Sequence, residues 1–303
     1  MKKRIISSFL VLPMIAGLML TSCGSDKTEG EELSNEITDS TESSRANVIP
    51  DDETEEISFQ VPSPGEMLTF IKSVGKKGNK NTSFLNNTDN AKSYVDAKSK
   101  ALNFGIYSCD LSYCSIFEIG SDVMKYFKTV KVLGDEIGVS ASIRPELMKR
   151  LDSNASNADS LAVISDQMYN DSFETLQNGQ QGNTLALVIA GGYVESLFIV
   201  TNLVKFEKGS DAVQRVADQK LALENIIGFM KKYESDAGVA ETIKSLENLK
   251  AEFDKLKEHE AAKQKVEGKV VLGGGSEIEI DANQYKAISD KVKEIRNSFT
   301  MTK

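Results

Sequence analysis

Residues 184–206 read TLALVIAGGYVESLFIVTNLVKF, the most apolar stretch beyond the first two dozen residues. A run of this length and character can cross a bilayer. Glu195 stands near its centre, where an acid is expensive in hydrocarbon, and Gly191-Gly192 weakens a spanning helix further. The favoured alternative is a helix buried inside a bundle, because a helix apolar around its whole circumference must be covered by protein. Residues 101–117, ALNFGIYSCDLSYCSIF, have the same character, interrupted only by small residues and Asp110. Two such helices lead to one expectation: an all-α, multi-helix bundle with two buried helices wrapped by amphipathic ones.

Outward from these stretches, the start and stop signals divide residues 63–303 into helices. Ser63-Pro64-Gly65-Glu66 reads as a capping box with proline at the first helical position. A long helix is expected from Asp89 or Asn90 through residue 117. Gly120-Ser121-Asp122 breaks it, with Ser121 as the cap of a helix over residues 123–137. A short helix follows Arg144-Pro145, and a longer one covers residues 157–177, where Leu161, Val163, Ile164, Met168, Phe173 and Leu176 are expected on one stripe. Ser210 is placed to cap a helix reaching Tyr233, and another is expected over residues 239–262, carrying His259. One β signal stands out: residues 269–272 and 277–280 flank Gly273-Gly274-Gly275, predicting a small hairpin over 269–280. Asp281 then caps a final helix over residues 282–299.

The chain also resembles itself. Phe117-Glu118-Ile119-Gly120-Ser121-Asp122 matches Phe206-Glu207-Lys208-Gly209-Ser210-Asp211 in five of six positions. Each follows a buried helix and precedes an amphipathic one, so two related helical halves are expected, about 88–178 and 183–262. Chance is the competing explanation, since Gly-Ser-Asp is an ordinary break and cap. In the duplicated reading, Asp110 and Glu195 are equivalent positions. Small residues (Gly105, Ser108 and Ser112; Ala190, Gly191 and Ser196) allow close helix approach.

Chemistry is sparse. The single histidine, His259, sits in a Lys/Glu-rich stretch, so zinc and Ser-His or Cys-His catalysis lack ligands and bases. No metal and no cofactor is expected. Gly273-Gly274-Gly275 lies between strands and reads as a turn, not a phosphate cradle. The net charge of −9 and the absence of basic patches argue against nucleic acid. Cys109 and Cys114, five apart on one helix, are too distant for a disulfide and should be buried free thiols. Asp110 and Glu195 are the remaining site candidates. Each is either a packing acid bonded to a Tyr, Ser or Lys, with Tyr107, Tyr113, Tyr193 and Thr201 nearby, or part of a ligand site.

The amino terminus says where the chain works. Lys2, Lys3 and Arg4 precede an apolar run that ends in Leu20-Thr21-Ser22-Cys23. This resembles the lipobox of bacterial lipoproteins; the competing reading is a transmembrane helix with Cys23 as a bystander. The resemblance implies removal of residues 1–22, lipidation of Cys23, and the bilayer as a partner through its acyl chains. Gly24 after Cys23 points to the outer membrane, facing the periplasm or the surface. Residues 23–62 are polar and acidic and predict a disordered tether. The expected function is a non-enzymatic binding or scaffolding body with an envelope protein as partner. The alternative is a small-ligand carrier or sensor with a pocket between the buried helices, and an enzyme ranks third.

Overall fold

The two apolar stretches are the two central helices of the protein. In the computed structural model, the described residues are 47–49, 59–61, 63–73, 80–139, 141–154, 157–260, 265–266, 269–270 and 276–301. The expected signal peptide, Cys23 and most of the expected tether fall outside them. Ten α-helices are described: α1 (Pro64–Ser73), α2 (Ala97–Ile116), α3 (Gly120–Ile137), α4 (Pro145–Ser153), α5 (Ala158–Asn178), α6 (Gly182–Leu203), α7 (Asp211–Ala217), α8 (Gln219–Lys231), α9 (Ala237–Phe253) and α10 (Ala282–Thr300). The all-α, multi-helix bundle is therefore the observed fold. Helix α6 is long and apolar enough to cross a membrane by composition, yet residues 185–200 are all buried among other helices.

Helices α2 and α6 pack against each other along their length. Helices α1, α3 and α5 cover α2; α1, α8, α9 and α10 cover α6. The contact is backbone to backbone at its tightest. A methyl placed on Gly105 would stand 2.1 Å from the Val188 carbonyl oxygen, and one on Gly191 would stand 2.0 Å from the Leu102 carbonyl oxygen. Neither position tolerates a side chain at this helix separation. Of the other small residues, Ser108 and Ser112 turn back to donate to the carbonyls one turn earlier, Phe104 O at 2.7 Å and Ser108 O at 3.0 Å.

Several helix starts agree with the sequence. Asn157, Ser210 and Asp281 cap α5, α7 and α10, and Asp281 forms a full capping box with Gln284. Val163, expected on the apolar stripe of α5, is exposed, because it stands only two residues after buried Leu161 and so points off that face. Other boundaries differ, each for a tertiary reason. Helix α2 starts at Ala97, capped by Asp96, because residues Thr88–Ser93 form a 3-10 turn and Tyr94 leaves helical geometry to enter the core. The Tyr94 hydroxyl donates to Thr300 O at 3.2 Å. The expected helix to Tyr233 breaks at Asp218 into α7 and α8.

The expected helix over 239–262 stops at Phe253. Leu256 is the last side chain it could bury, and Lys257–Glu260 has no apolar residue at helical spacing, so it pairs as strand β3 instead. Two short strands, β1 (Asn47–Ile49) and β2 (Phe59–Val61), pair inside the region expected to be tether, and β2 runs beside α8. Asn47–Ile49 and Phe59–Val61 carry the β-branched and aromatic residues that suit strands. The hairpin near the C-terminus is nested. Strand β6 (Ser276–Glu279) pairs antiparallel with β3, while β5 (Lys269–Val270) pairs with β4 (Lys265–Val266). The predicted direct pairing of 269–272 with 277–280 is thus replaced. The alternation of the second arm holds: Ile278 and Ile280 are buried, Glu279 is exposed.

The Phe-Glu-x-Gly-Ser-Asp match does not mean matching local structure. Glu118 adopts a left-handed conformation (φ 62°), Gly120 is the first residue of α3, and Ile119 precedes it with no side-chain cap; Ser121 caps nothing. In the second copy Gly209 takes the left-handed conformation (φ 74°) outside the helix, and Ser210 caps.

Cys109 and Cys114 are free and buried on the continuous helix α2. Two titratable thiols per chain are expected in denatured, unreduced protein, beyond any at Cys23. The crossing makes a stronger prediction. Gly105→Ala or Gly191→Ala should destabilise the fold by about 3 kcal/mol or more in denaturant unfolding, at the upper end of overpacking penalties. Gly192→Ala, whose methyl would meet the Pro64 ring at 3.1 Å, should be milder.

Candidate functional site

Asp110 on α2 and Glu195 on α6 are fully buried. The sequence suggested two separate, similar sites. The structure brings both acids into one. Glu195 is held by Arg296 of α10: Arg296 Nε donates to Glu195 Oε2 at 2.9 Å and an Arg296 Nη donates to Glu195 Oε1 at 3.2 Å. The same guanidinium donates to Phe84 O at 3.3 Å and lies over the Phe198 ring, 4.7 Å from its centroid. Asp110 Oδ2 accepts from the Asn86 backbone N–H at 3.2 Å. The Glu195 carboxyl is near enough for its charge to act on Asp110.

The expected tyrosine and threonine partners are elsewhere. Tyr107 donates to Asn87 O and Tyr113 to Asn81 O, at 2.7 and 3.3 Å. Tyr193 donates to Gln219 O at 3.1 Å, and Thr201 bonds back to Phe198 O. These hydroxyls tie down loops and helix joints, not the acids.

Around the acids runs a buried polar network that sequence reasoning missed. Asn86 Nδ2 donates to the Tyr94 hydroxyl at 3.0 Å and to Asn103 Oδ1 at 3.1 Å. Asn103 Nδ2 donates to Phe299 O at 2.8 Å, and Tyr94 to Thr300 O. The network therefore joins the segment before α2, α2 itself and the last turn of α10. One signal for Arg296 was present in the sequence. Tyr285, Ile288, Val292 and Phe299 form an apolar stripe on α10, and Arg296 falls on that stripe, four residues after Val292. A cation on a buried stripe implies a buried anion.

The electrostatics follow from this arrangement. Burial first, then the nearby Glu195 charge, push the Asp110 carboxyl well above the ordinary carboxylate range, with Arg296 opposing. Burial likewise pushes the Cys109 thiol up, with Glu195 and Asp110 adding to it, so this thiol is not an activated nucleophile. Arg296 stays charged because Glu195 and Asp110 outweigh its own burial.

Asp110 and Glu195 are fully buried and do not line the surface clefts beside α1, α2, α5, α7 or α9. The cleft of about 300 Å³ beside the start of α2 is walled by Tyr94, Val95, Lys98, Glu241 and Met301. Val95 and Met301 are 74% and 68% exposed there. His259, expected on a helix, lies on β3 and faces Glu279 at 3.3 Å in the open. Among the described residues, no three His, Cys, Asp or Glu side chains gather as a metal site would require. The arrangement can hold a proton and lock helices together. It offers no exposed nucleophile beside a base.

Removing one partner of the ion pair should be severe. Arg296→Met leaves Glu195 buried without a cation and should cost about 3–5 kcal/mol in denaturant unfolding. Adding Glu195→Gln to it should recover part of that loss, so the two substitutions are strongly non-additive. Comparison with family models, with curated proteins and with solved structures finds no match to this chain.

Proposed function

We propose that the chain is a lipid-anchored envelope lipoprotein whose helical body binds or scaffolds another envelope component and performs no chemistry of its own. The observation that carries the anchor is Leu20-Thr21-Ser22-Cys23 behind a basic, then apolar, leader. Acyl chains on Cys23 would supply the two or more signals needed for stable attachment, at about 0.8 kcal/mol per buried methylene. Gly24 favours the outer membrane.

What supports a binding body is the use of its buried charges. Glu195 is spent on Arg296 within the fold, and Asp110 faces Glu195 and Asn86, away from solvent. A carrier with its site between α2 and α6 has less support, since backbone contact at Gly105 and Gly191 fills that interface.

Substituting Cys23 tests the anchor. Wild-type protein should sediment with membranes and lack residues 1–22, whereas Cys23→Ala should remain unprocessed or become soluble. A Cys23→Ala chain that is cleaved and fractionates like wild type would overturn the proposal. For the body, cross-linking in intact envelopes should capture a defined protein with the anchored form.

A further inference from the structure

Asp110 has an oxygen with no donor. Its Oδ2 accepts from Asn86, but Oδ1 is buried without a hydrogen-bond partner. Leaving such an atom unsatisfied, next to a second carboxylate, is costly in a low-dielectric interior. Both oxygens of Glu195 already accept from Arg296. Two ionised acids against one guanidinium would leave a net buried negative charge.

The groups acting on the pair come from several elements. Arg296 reaches it from α10, and Tyr94 from the segment before α2. Tyr107, Cys109 and Cys114 stand on α2 itself, and Tyr126 faces it from α3. Asp122 and Lys125 of α3 act on Cys114 further out, and Tyr169 of α5 acts on Cys109. Among these the only cation close to the acids is Arg296.

We propose that Asp110 and Glu195 hold one proton between them, and that this proton latches α10 over α2 and α6, so that its loss loosens α10 and residues 80–95. In the latched state Asp110 Oδ1–H donates to the Glu195 carboxylate, which satisfies the orphan oxygen. On unlatching, that O–H bond breaks, the proton passes to solvent, and two adjacent carboxylates repel. Arg296 is the α10 residue bonded to Glu195, so the strain falls on that helix. The same end of α10 is held by Asn103 and Tyr94, which bond its last carbonyls, Phe299 O and Thr300 O. These bonds would loosen with it. The device is independent of the lipid anchor.

The sign is fixed by the direction of the Asp110 shift. Its acidity is weakened in the folded chain, so folding takes up a proton above the ordinary aspartate value of about 3.9. This contribution to stability is complete below that value and is lost as pH rises through the raised native value.

Hydrogen exchange on the full chain tests the latch, with α10 amide rates normalised to unstructured rates between about pH 6 and about pH 9. Wild-type protection in α10 should fall about tenfold or more with rising pH, the equivalent of a single pKa unit of differential protonation. In Asp110→Asn, whose amide can donate to Glu195 at any pH, it should stay level. An equal response in wild type and Asp110→Asn overturns the proposal, as does a fall in α4 as large as that in α10. If Asp110→Asn does not fold, infrared difference spectroscopy of the wild type decides. A protonated-carboxyl C=O band near neutral pH that disappears on alkalinisation supports the latch, and absence of the band overturns it.

Discussion

The close crossing of α2 and α6 is the constraint on which the rest depends. Backbone touches backbone at Gly105 and Gly191, so the two helices act as one rigid element. Packing at this density gains many dispersion contacts but leaves no room for adjustment. Everything that covers the pair does so on faces the crossing has already fixed. It also explains why a helix with the composition of a membrane span sits inside this body: its apolar circumference is consumed by neighbouring helices.

The crossing also determines where the charges meet. Asp110 lies five residues after Gly105, and Glu195 four after Gly191. A step of four or five residues is a little over one helical turn, so each acid follows its glycine near the interface. Both acids are fully buried beside this contact, near enough for the Glu195 charge to act on Asp110. Arg296 answers one of them, and the segment before α2 answers the other through the Asn86 N–H. The C-terminal helix is thus bound to the centre by polar contacts as well as by its apolar stripe. Buried ion pairs add little net stability compared with apolar packing, but they discriminate strongly between arrangements, because a misplaced helix would leave a charge unpaired.

The repeated hexapeptide shows how weakly a short motif binds its own conformation. In one copy the glycine opens a helix after a left-handed glutamate; in the other it stands left-handed before a serine cap. The first break must reverse the chain tightly so that α3 can return along α2. The second leads through an extended connection to α7. Context chose between two local conformations of the same hexapeptide pattern.

The sequence by itself determined the architecture at the level of burial. All-round apolar helices, amphipathic stripes and the caps Ser210 and Asp281 follow from periodicity and local hydrogen bonding, which act over a few residues. Gly105 and Gly191 were legible as approach points, and the two acids as buried. Tertiary structure alone decided what the acids meet. Arg296 lies 101 positions from Glu195, and no local rule carries information over that distance. The same holds for Tyr94, pulled from a helical stretch by a carbonyl 206 residues away, and for β3, whose helical propensity yields to a partner strand once Leu256 has exhausted the apolar residues available for burial. Local free energies of a few tenths of a kcal/mol per residue set the elements; desolvation penalties of several kcal/mol, which exist only once the chain is packed, set the partners.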